Sequence, residues 1–381
     1  MTPKVSSFID AMPATPCLVL DLDRVADNYA AIRRALPAAA IYYAVKANPA
    51  QPILRLLAES GSCFDAASLP EIESCLAAGA DAARISFGNT VKKPSAIAAA
   101  HAHGVPLYAF DSAEELAKIA AHAPGAKVYC RIEVKNEGAE WPLSKKFGTT
   151  TERAKELLLS APDMGLVAHG ISFHVGSQQT GTEAYALAVA QAAMIFTDLK
   201  AQGVELKMIN LGGGFPVRYQ RDVPAADDFG NVIMNAMIKH FGNDIPDMLI
   251  EPGRSMVGNA GTVVSEAVLV CQRIPADPRR WVYLDIGRYG GLAETEGEAI
   301  RYRVTASGRG PAGSAFGPVG PVVLAGPSCD GVDVMYEKTP YFLPVSLKSG
   351  DRVLIHDTGA YVTSYASQNF NGFAPLEEHY I

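Results

Sequence analysis

The chain has 381 residues, of which 49% are hydrophobic and 19% are charged, and its net charge is −7. This length predicts two domains, and this composition excludes a disordered or fibrous chain. The acidic balance argues against a nucleic-acid binder, which would be basic. No apolar run reaches the roughly 18 residues of a membrane span, and residues 1–21 lack the features of a secretory signal. We therefore expect a cytoplasmic protein with neither nucleic-acid nor membrane partners.

Short strand-like runs alternate with alanine-rich helical patterns between residues 24 and 260. The strand-like runs are Ile41–Val45, Cys63–Ala66, Arg84–Phe87, Pro106–Phe110, Lys127–Val134, His169–Val175, Met208–Leu211 and Met248–Ile250. Strands that alternate with helices predict a parallel α/β sheet. Eight such units favour a closed (β/α)₈ TIM barrel. An open doubly wound sheet is the alternative, because a count of strands does not prove closure.

Beyond residue 260, strand-like runs follow one another without helices. They are Glu266–Ile274, Trp281–Ile286, Ala299–Ala306, Gly320–Leu324, Tyr341–Leu347 and Arg352–His356. Glycine and proline separate them, which is typical of a mostly antiparallel β-domain. Thr15–Asp21 is also strand-like and precedes the first barrel unit. We therefore predict a discontinuous β-domain that consists of residues 1–23 and 261–381.

Polar residues and glycines follow several of the predicted barrel strands. The carboxyl ends of barrel strands meet at one rim, so we expect these residues to lie together: Lys46, Asp65, His174, Ser177, Gly212, Gly213, Gly214, Glu251, Gly253 and Arg254. Singly, each has an ordinary explanation. A strand-end lysine reaches solvent, three glycines form a tight turn, a histidine bonds to backbone in the core, and Glu251 pairs with Arg254.

Together these residue types suit pyridoxal phosphate. A partly desolvated lysine at a barrel rim, here Lys46, is a usable amine nucleophile for the aldehyde of this cofactor. Glycine N–H groups with Ser177 and Arg254 predict a phosphate site. Glu251 would pair with the pyridine nitrogen and strengthen the ring as an electron sink. The flat imidazole of His174 would stack on the ring.

Two further motifs lie in the predicted β-domain. Residues 326–331 read GPSCDG, a loop of turn-forming residues that holds the thiol of Cys329 beside the carboxylate of Asp330. A thiol can deliver a proton, and a carboxylate can bind an amine. Residues 357–361 read DTGAY, where the hydroxyl of Tyr361 is a candidate phosphate ligand. Read alone, the first motif is a turn and Tyr361 is a packed aromatic residue.

Seven motifs occur in this order between Tyr43 and Tyr361, within a resemblance that runs from about Thr15 to the C-terminus: YAVKAN, CFDAASLPEI, SFHVGSQ, LGGGFP, EPGR, GPSCDGVD and DTGAY. They resemble the fold-type III pyridoxal-phosphate-dependent decarboxylases of the ornithine/lysine decarboxylase type. The resemblance implies an alanine-racemase-like barrel at residues 24–260 and the β-domain already described. It also implies a head-to-tail homodimer with two active sites at its interface.

The resemblance also implies a role for each motif residue. Lys46 resembles the Schiff-base lysine, His174 the ring-stacking histidine, and Glu251 the partner of the pyridine nitrogen. Phosphate ligands are expected at Ser177, Gly213, Gly214, Arg254 and Tyr361, and further cofactor contacts at Asp65 and Gly253. Cys329 resembles a thiol that reaches in from the other subunit and protonates Cα. Asp330 resembles the acid that binds the distal amine of a basic amino-acid substrate.

One stretch departs from the family pattern. Eukaryotic-type members carry a Tyr-Asp pair that also grips the distal amine, whereas residues 291–298 read GLAETEGE here. Glu296, Glu298 or neither takes this role, which leaves the side-chain length of the substrate open. We expect decarboxylation of L-ornithine to putrescine, with L-lysine as a further substrate.

The alternatives share this fold. Diaminopimelate decarboxylases usually read Cys-Glu-Ser where residues 329–331 read Cys-Asp-Gly, and racemases need a second catalytic base of which the sequence has no motif. Arginine decarboxylases and non-catalytic regulators of the antizyme-inhibitor type are the other candidates. Such regulators lose cofactor residues, whereas Lys46, Glu251, Arg254 and Cys329 are all present.

Overall fold

The computed structural model describes residues 1–135, 137–141, 146–307 and 317–381. The chain forms two compact units. The first, called here the barrel unit, contains residues 26–216 and 223–256. The second, the β-unit, contains residues 1–25, 217–222 and 257–381. The short segment 217–222 therefore belongs to the β-unit although barrel elements flank it in the sequence.

Helices and strands alternate through the barrel unit, and strands dominate the β-unit. In chain order they are α1 (Pro3–Asp10), β1 (Cys17–Leu20), α2 (Leu22–Ala35), β2 (Ala39–Ala44), α3 (Gln51–Glu59), β3 (Cys63–Ala66), α4 (Leu69–Ala77), β4 (Ile85–Phe87), α5 (Pro94–Ala102), β5 (Leu107–Phe110), α6 (Ala113–His122), β6 (Lys127–Arg131), β7 (Ala139–Trp141), α7 (Thr151–Ser160), β8 (Val167–Ser172), β9 (Ser177–Gln179), α8 (Glu183–Ala201), β10 (Met208–Asn210), α9 (Ala226–Phe241), β11 (Asp247–Ile250), α10 (Arg254–Val257), β12 (Gly261–Cys271), β13 (Arg280–Leu284), β14 (Arg303–Ser307), β15 (Val319–Ala325), β16 (Val334–Pro344), β17 (Arg352–His356) and β18 (Glu377–Tyr380).

Eight parallel strands close into a barrel in the order β2, β3, β4, β5, β6, β8, β10, β11. The barrel closes where β11 pairs with β2, with Ile250 opposite Ile41. The predicted (β/α)₈ barrel is confirmed, and the open doubly wound sheet is wrong. The interior of the barrel is filled by side chains, so the barrel is a packed core and not a pore. The buried cluster of this core consists of Leu107, Ala109, Tyr129, Met208 and Leu249.

Local signals explain where the barrel helices begin. Ser68 and Ser112 are the N-caps of α4 and α6, and they accept the N–H groups of Glu71 at 3.4 Å and Glu115 at 3.2 Å. Such caps satisfy N–H groups that the first helical turn leaves unpaired. Prolines stand in the first turns of α3, α4 and α5, where no N–H is needed. These local signals therefore mark the starts of α3, α4, α5 and α6 in the sequence.

The β-unit is built on one eight-stranded sheet. Its main path is β14, β17, β12, β13, β15, β16, and β1 pairs with both β12 and β18. The β1–β18 and β13–β15 pairs are parallel, and the others are antiparallel. The predicted mostly antiparallel β-domain is confirmed. Within the described part of the chain, no helix combines the length and apolarity needed to cross a membrane.

Candidate active site

Lys46 stands at the carboxyl end of β2. A 3₁₀ turn, Val45–Ala47, follows this strand directly and carries the lysine. Its Nζ lies 3.8 Å from Oδ2 of Asp65, which is in β3, the neighbouring strand. The lysine side chain is 47% exposed and that of Asp65 is 5% exposed. The amine is therefore accessible at the barrel rim, while the acid beside it is buried.

Asp65 is a buried acid whose proton affinity is unusually high. Burial raises the pKa of its carboxyl group to about 8, the negative charge of Glu251 adds to the rise, and Lys46 opposes it. Among the described residues, its buried Oδ1 has no hydrogen-bond partner. Near neutral pH this carboxyl group can therefore take up or release a proton beside the amine of Lys46.

The triplet 212–214 forms a tight turn after β10. Gly212 has a φ of +68°, a conformation that favours glycine. A Cβ at Gly213 would lie 2.5 Å from the carbonyl oxygen of Glu251, so only glycine fits there. The hydroxyl of Tyr185 donates to the carbonyl oxygen of Gly213 at 2.8 Å. The hydrogen bond from Tyr185 therefore holds the turn in place, and the backbone of the turn can approach a bound anion closely.

A buried arginine lies in the same unit. Arg254 begins α10 just after β11, and its side chain is almost fully buried. Its Nε and Nη2 atoms lie 3.3 Å and 3.1 Å from Oγ of Ser177, to which they donate. Ser177 begins β9. The structure therefore brings together two of the three side chains that the sequence assigned to a phosphate.

His174 is held as a neutral imidazole. Its Nδ1 accepts the N–H of Gly176 at 3.0 Å, which places the ring proton on Nε2. Burial holds the pKa of His174 well below its usual value, and the positive charges of Arg131 and Lys46 lower it further. The bond to backbone that the core interpretation expected is present. An uncharged ring is also the form best suited to packing on a flat cofactor.

Glu251 is bound by a residue that the sequence reasoning missed. Its Oε1 accepts a 2.5 Å hydrogen bond from Nδ2 of Asn210, and Oδ1 of Asn210 accepts the N–H of Gly212 at 2.9 Å. Asn210 ends β10 and is 1% exposed. Its only signal in the sequence is a polar residue at the end of the apolar run MIN. The sequence reasoning also missed Arg131, which ends β6 and whose positive charge lowers the pKa of His174.

The loop that carries Cys329 lies in the β-unit. The Cys329 side chain is exposed, and its N–H donates to Oδ1 of Asn371 at 2.7 Å. Oδ2 of Asp330 accepts the hydroxyl of Tyr289 at 2.9 Å, and Oδ1 accepts the N–H of Val332 at 3.0 Å. These donors hold the pKa of the Asp330 carboxyl group below its usual value. The loop therefore presents a thiol beside an ionised acid.

Asp333 anchors this loop from behind and was not assigned a role from the sequence. Its carboxylate is buried and accepts the N–H of Arg288 at 2.8 Å. It also accepts the hydroxyl of Ser328 at 2.6 Å and the N–H of Ser328 at 3.1 Å. Because one buried carboxylate binds both segments, the position of the Cys329 loop is fixed relative to Arg288.

The remaining predicted residues of the β-unit differ in their setting. Tyr361 follows β17 and is partly buried, with a φ of +57°. Glu296 is exposed, and its Oε2 lies 3.2 Å from Nη2 of Arg288. Glu298 pairs with Arg301 at 2.6 Å, and it accepts the N–H groups of residues 337–339. Glu298 therefore supports the middle of β16, and Glu296 is the more accessible of the two acids.

The sequence of the barrel unit matches a known family. A model described as the pyridoxal binding domain of pyridoxal-dependent decarboxylases matches residues 22–258. The chain belongs to the pyridoxal-dependent decarboxylase family. The predicted enzyme class, a carboxy-lyase that uses pyridoxal phosphate, is thereby confirmed.

Relatives and solved structures resemble this decarboxylase over nearly its whole length. The lysine/ornithine decarboxylase of Selenomonas ruminantium is 38% identical, over 94% of this chain and 88% of the relative. The structure of the Vibrio vulnificus lysine/ornithine decarboxylase complexed with cadaverine is 30% identical, with a TM-score of 0.89 and coverage of 100% and 99% of the two chains. The Paramecium bursaria Chlorella virus arginine decarboxylase bound to agmatine is 28% identical, with a TM-score of 0.89 and full coverage of both chains.

The residues of the barrel unit fit the cofactor of the family. Lys46 provides an accessible amine, and the glycine turn has the close approach that only glycine permits. Within the described chain, the N–H groups of Gly213 and Gly214 have no protein acceptor, which leaves them available to a phosphate. The decarboxylase thus has an amine and anion-binding groups within one unit.

Proposed function

We propose that this enzyme decarboxylates L-ornithine to putrescine and carbon dioxide, and that it also converts L-lysine to cadaverine. The observation that carries the proposal is the Lys46–Asp65 pair, 3.8 Å apart at the rim of a barrel that also carries Glu251. The Selenomonas relative and the Vibrio structure, both named lysine/ornithine decarboxylase, support this substrate class. A small basic amino acid is the common feature of these substrates.

We assign the barrel residues to the cofactor. When bound, pyridoxal phosphate supplies an electron sink for the electrons of the breaking Cα–carboxylate bond. Lys46 supplies the amine that holds the aldehyde, with Asp65 beside it. Glu251 holds the ring nitrogen in its protonated form, and the neutral His174 packs on the ring. The phosphate ligands in this proposal are Ser177, Gly213, Gly214, Arg254 and Tyr361, with a further cofactor contact at Gly253.

We assign the Cys329 loop to the substrate. The thiol of Cys329 returns a proton to Cα after carbon dioxide leaves, and the carboxylate of Asp330 binds the distal ammonium group. The lowered pKa of Asp330 supports this role, since the acid is ionised at neutral pH. Glu296 is a second candidate for the distal amine, because Glu298 is engaged by Arg301 and the backbone of β16. An ionised acid also disfavours diaminopimelate, whose distal end carries a carboxylate.

The assembly in this proposal is a head-to-tail homodimer with shared sites. One subunit contributes the barrel residues, and its partner contributes the Cys329 loop. The support is the arrangement implied by the family that the sequence resembles, together with the exposed thiol. Cytoplasmic localisation also stays a prediction.

Carbon dioxide release from four substrates tests the proposed function. Ornithine, lysine, arginine and diaminopimelate are compared at equal concentrations, with Lys46→Ala as the matched inactive control. We expect ornithine to give the highest kcat/KM, lysine to follow, and the other two to be poor substrates. A preference for arginine or diaminopimelate would contradict the substrate assignment. A protein that binds the cofactor, seen by its visible absorption, but releases no carbon dioxide would support the regulator alternative.

A further inference from the structure

Asn210 joins two parts of the barrel unit that the proposed function uses separately. Its Nδ2 donates to Oε1 of Glu251 at 2.5 Å, and its Oδ1 accepts the N–H of Gly212 at 2.9 Å. The N–H of Glu251 in turn donates to the carbonyl oxygen of Gly212 at 2.8 Å. The three residues form a closed set of hydrogen bonds that spans β10 and the end of β11. A shift of either strand end therefore moves both the acid and the glycine turn.

The chemistry of an amide suits this position better than that of an acid or a hydroxyl group. An asparagine amide always donates from nitrogen and accepts at oxygen, and it does not titrate. The amide N–H of Asn210 donates to Oε1 of Glu251, and this bond leaves Oε2 for another partner. Asn210 is 1% exposed, so an unmatched group here would carry the full penalty of a buried polar atom.

We propose that Asn210 is the positioning residue of Glu251: it binds one carboxylate oxygen and the N–H of Gly212 together, so that the other oxygen meets the ring nitrogen of the cofactor. This inference rests on the proposed function, because it takes Glu251 to be the partner of that nitrogen. It adds a residue that connects the acid to the phosphate turn, so both ends of the cofactor are held by one side chain.

The first test is Asn210→Asp, which keeps the size of the side chain and the acceptor for Gly212 but replaces the donor by a second carboxyl group. Two carboxyl groups this close cannot both ionise at neutral pH, so one proton is shared between them. Its loss at higher pH leaves two like charges that push Glu251 away. Glu251 lies close to Asp65, and the other titratable side chains around these two acids are those of Lys46, Glu71, Tyr129, Arg131 and His174.

We expect kcat of Asn210→Asp to fall with rising pH in a step that the wild type lacks, by roughly 10–100-fold, the size known for side chains that orient the ligands of a metal ion. The dissociation constant of pyridoxal phosphate, followed by absorbance, should rise over the same pH range. A role confined to filling space would leave both profiles unchanged, because the two side chains are isosteric. A wild-type pH profile of kcat and of cofactor affinity would overturn the proposal.

A second test reverses the hydrogen bond. In Asn210→Asp with Glu251→Gln, the glutamine donates and the aspartate accepts. The midpoint of thermal unfolding without cofactor should recover from the value of Asn210→Asp to near that of Glu251→Gln alone, while activity stays low. If the double variant does not recover, Asn210 supports the strand and not Glu251, and the proposal fails. If Glu251→Gln alone keeps full activity, the role of Glu251 in the proposed function fails, although the coupling between the two residues is still measured.

Discussion

The pKa values of the acids at the barrel rim and in the Cys329 loop are shifted in opposite directions, by different causes. In the barrel unit, burial dominates: it raises the pKa of Asp65 to about 8 and lowers that of His174. In the β-unit, hydrogen bonds to an accessible group dominate, and Val332 and Tyr289 hold the pKa of Asp330 below its usual value. The first arrangement favours the uncharged forms of Asp65 and His174 at neutral pH. The second suits an acid that stays charged and binds a cation.

Lys46→Ala gives the largest expected effect, because it removes the amine that we assign to the aldehyde of the cofactor. We expect loss of decarboxylation to the detection limit, together with loss of the visible absorption of the covalently held cofactor. Borohydride trapping followed by mass spectrometry measures the covalent bond directly. Covalent trapping that persists in the variant would show that another lysine holds the cofactor.

Glu251→Ala comes next. It removes the carboxylate that we assign to the ring nitrogen, one preorganised electrostatic interaction, and should lower kcat by roughly 10²–10³-fold. Steady-state kinetics with ornithine measure this effect, and cofactor content is checked in the same sample by absorbance. Turnover near that of the wild type would mean that the ring functions without this partner.

Asp330→Ala tests the accessible acid. An ammonium group that loses its carboxylate partner should bind more weakly, so we expect KM for ornithine to rise by roughly 10–100-fold, as for a hydrogen bond between charged groups. The kcat value should change much less, and cofactor affinity should not change. Glu296→Ala is the matched control, because it removes the nearby acid that pairs with Arg288. A larger effect of the control would move the distal-amine role to Glu296.

A mixture of two inactive variants tests whether the barrel rim and the Cys329 loop act across subunits. Lys46→Ala and Cys329→Ala subunits are mixed and allowed to exchange. In a two-fold dimer with shared sites, half of the dimers are mixed and each has one intact site, so activity should recover to about a quarter of the wild type. If the subunits are shown to exchange but activity does not recover, Lys46 and Cys329 of one site belong to the same subunit.

Asp65→Asn is expected to act on stability, and its effect depends on pH. The pKa of Asp65 is about 8 in the folded protein and about 3.9 in an unfolded chain. Between these values only the unfolded chain ionises, so wild-type stability falls as pH rises from about 4 to 8. We expect urea unfolding without cofactor to favour the variant more at pH 8 than at pH 5. A difference that does not depend on pH would exclude this coupling.

The barrel could be predicted from the sequence because its signals are local. The predicted run Met208–Leu211 became β10 (Met208–Asn210), and Cys63–Ala66 matches β3. The β-unit was harder to predict: a strand expected at Tyr341–Leu347 is β16, Val334–Pro344. Residues 337–339 are polar and exposed, and Glu298 accepts the N–H of Lys338 at 2.6 Å. The contact between Glu298 and β16 joins residues that are distant in sequence, so no periodic pattern of hydrophobic residues predicts the first part of this strand.

In the candidate site as well, residues with local sequence signals could be predicted, and residues with distant partners could not. Lys46 and Asp65 could be placed together because the ends of adjacent parallel strands meet at one rim. Asn210 and Asp333 could not, because their roles depend on partners in other segments, Glu251 and Arg288. A polar residue inside an apolar run is the one signal that Asn210 offered. Roles that depend on distant partners need the folded structure.

The pairing of β1 with β18 has a consequence for the order in which the chain can fold. Cys17 lies opposite Glu377, and the N–H of Ile381 donates to the carbonyl oxygen of Leu20. During synthesis β1 leaves the ribosome early, whereas β18 leaves it after every barrel strand. The barrel can therefore close before either strand that pairs with β1, β12 or β18, has been made, and domains generally fold as units in the order of synthesis. A strand that is made late, β18, therefore completes the edge of a sheet to which the early strand β1 belongs.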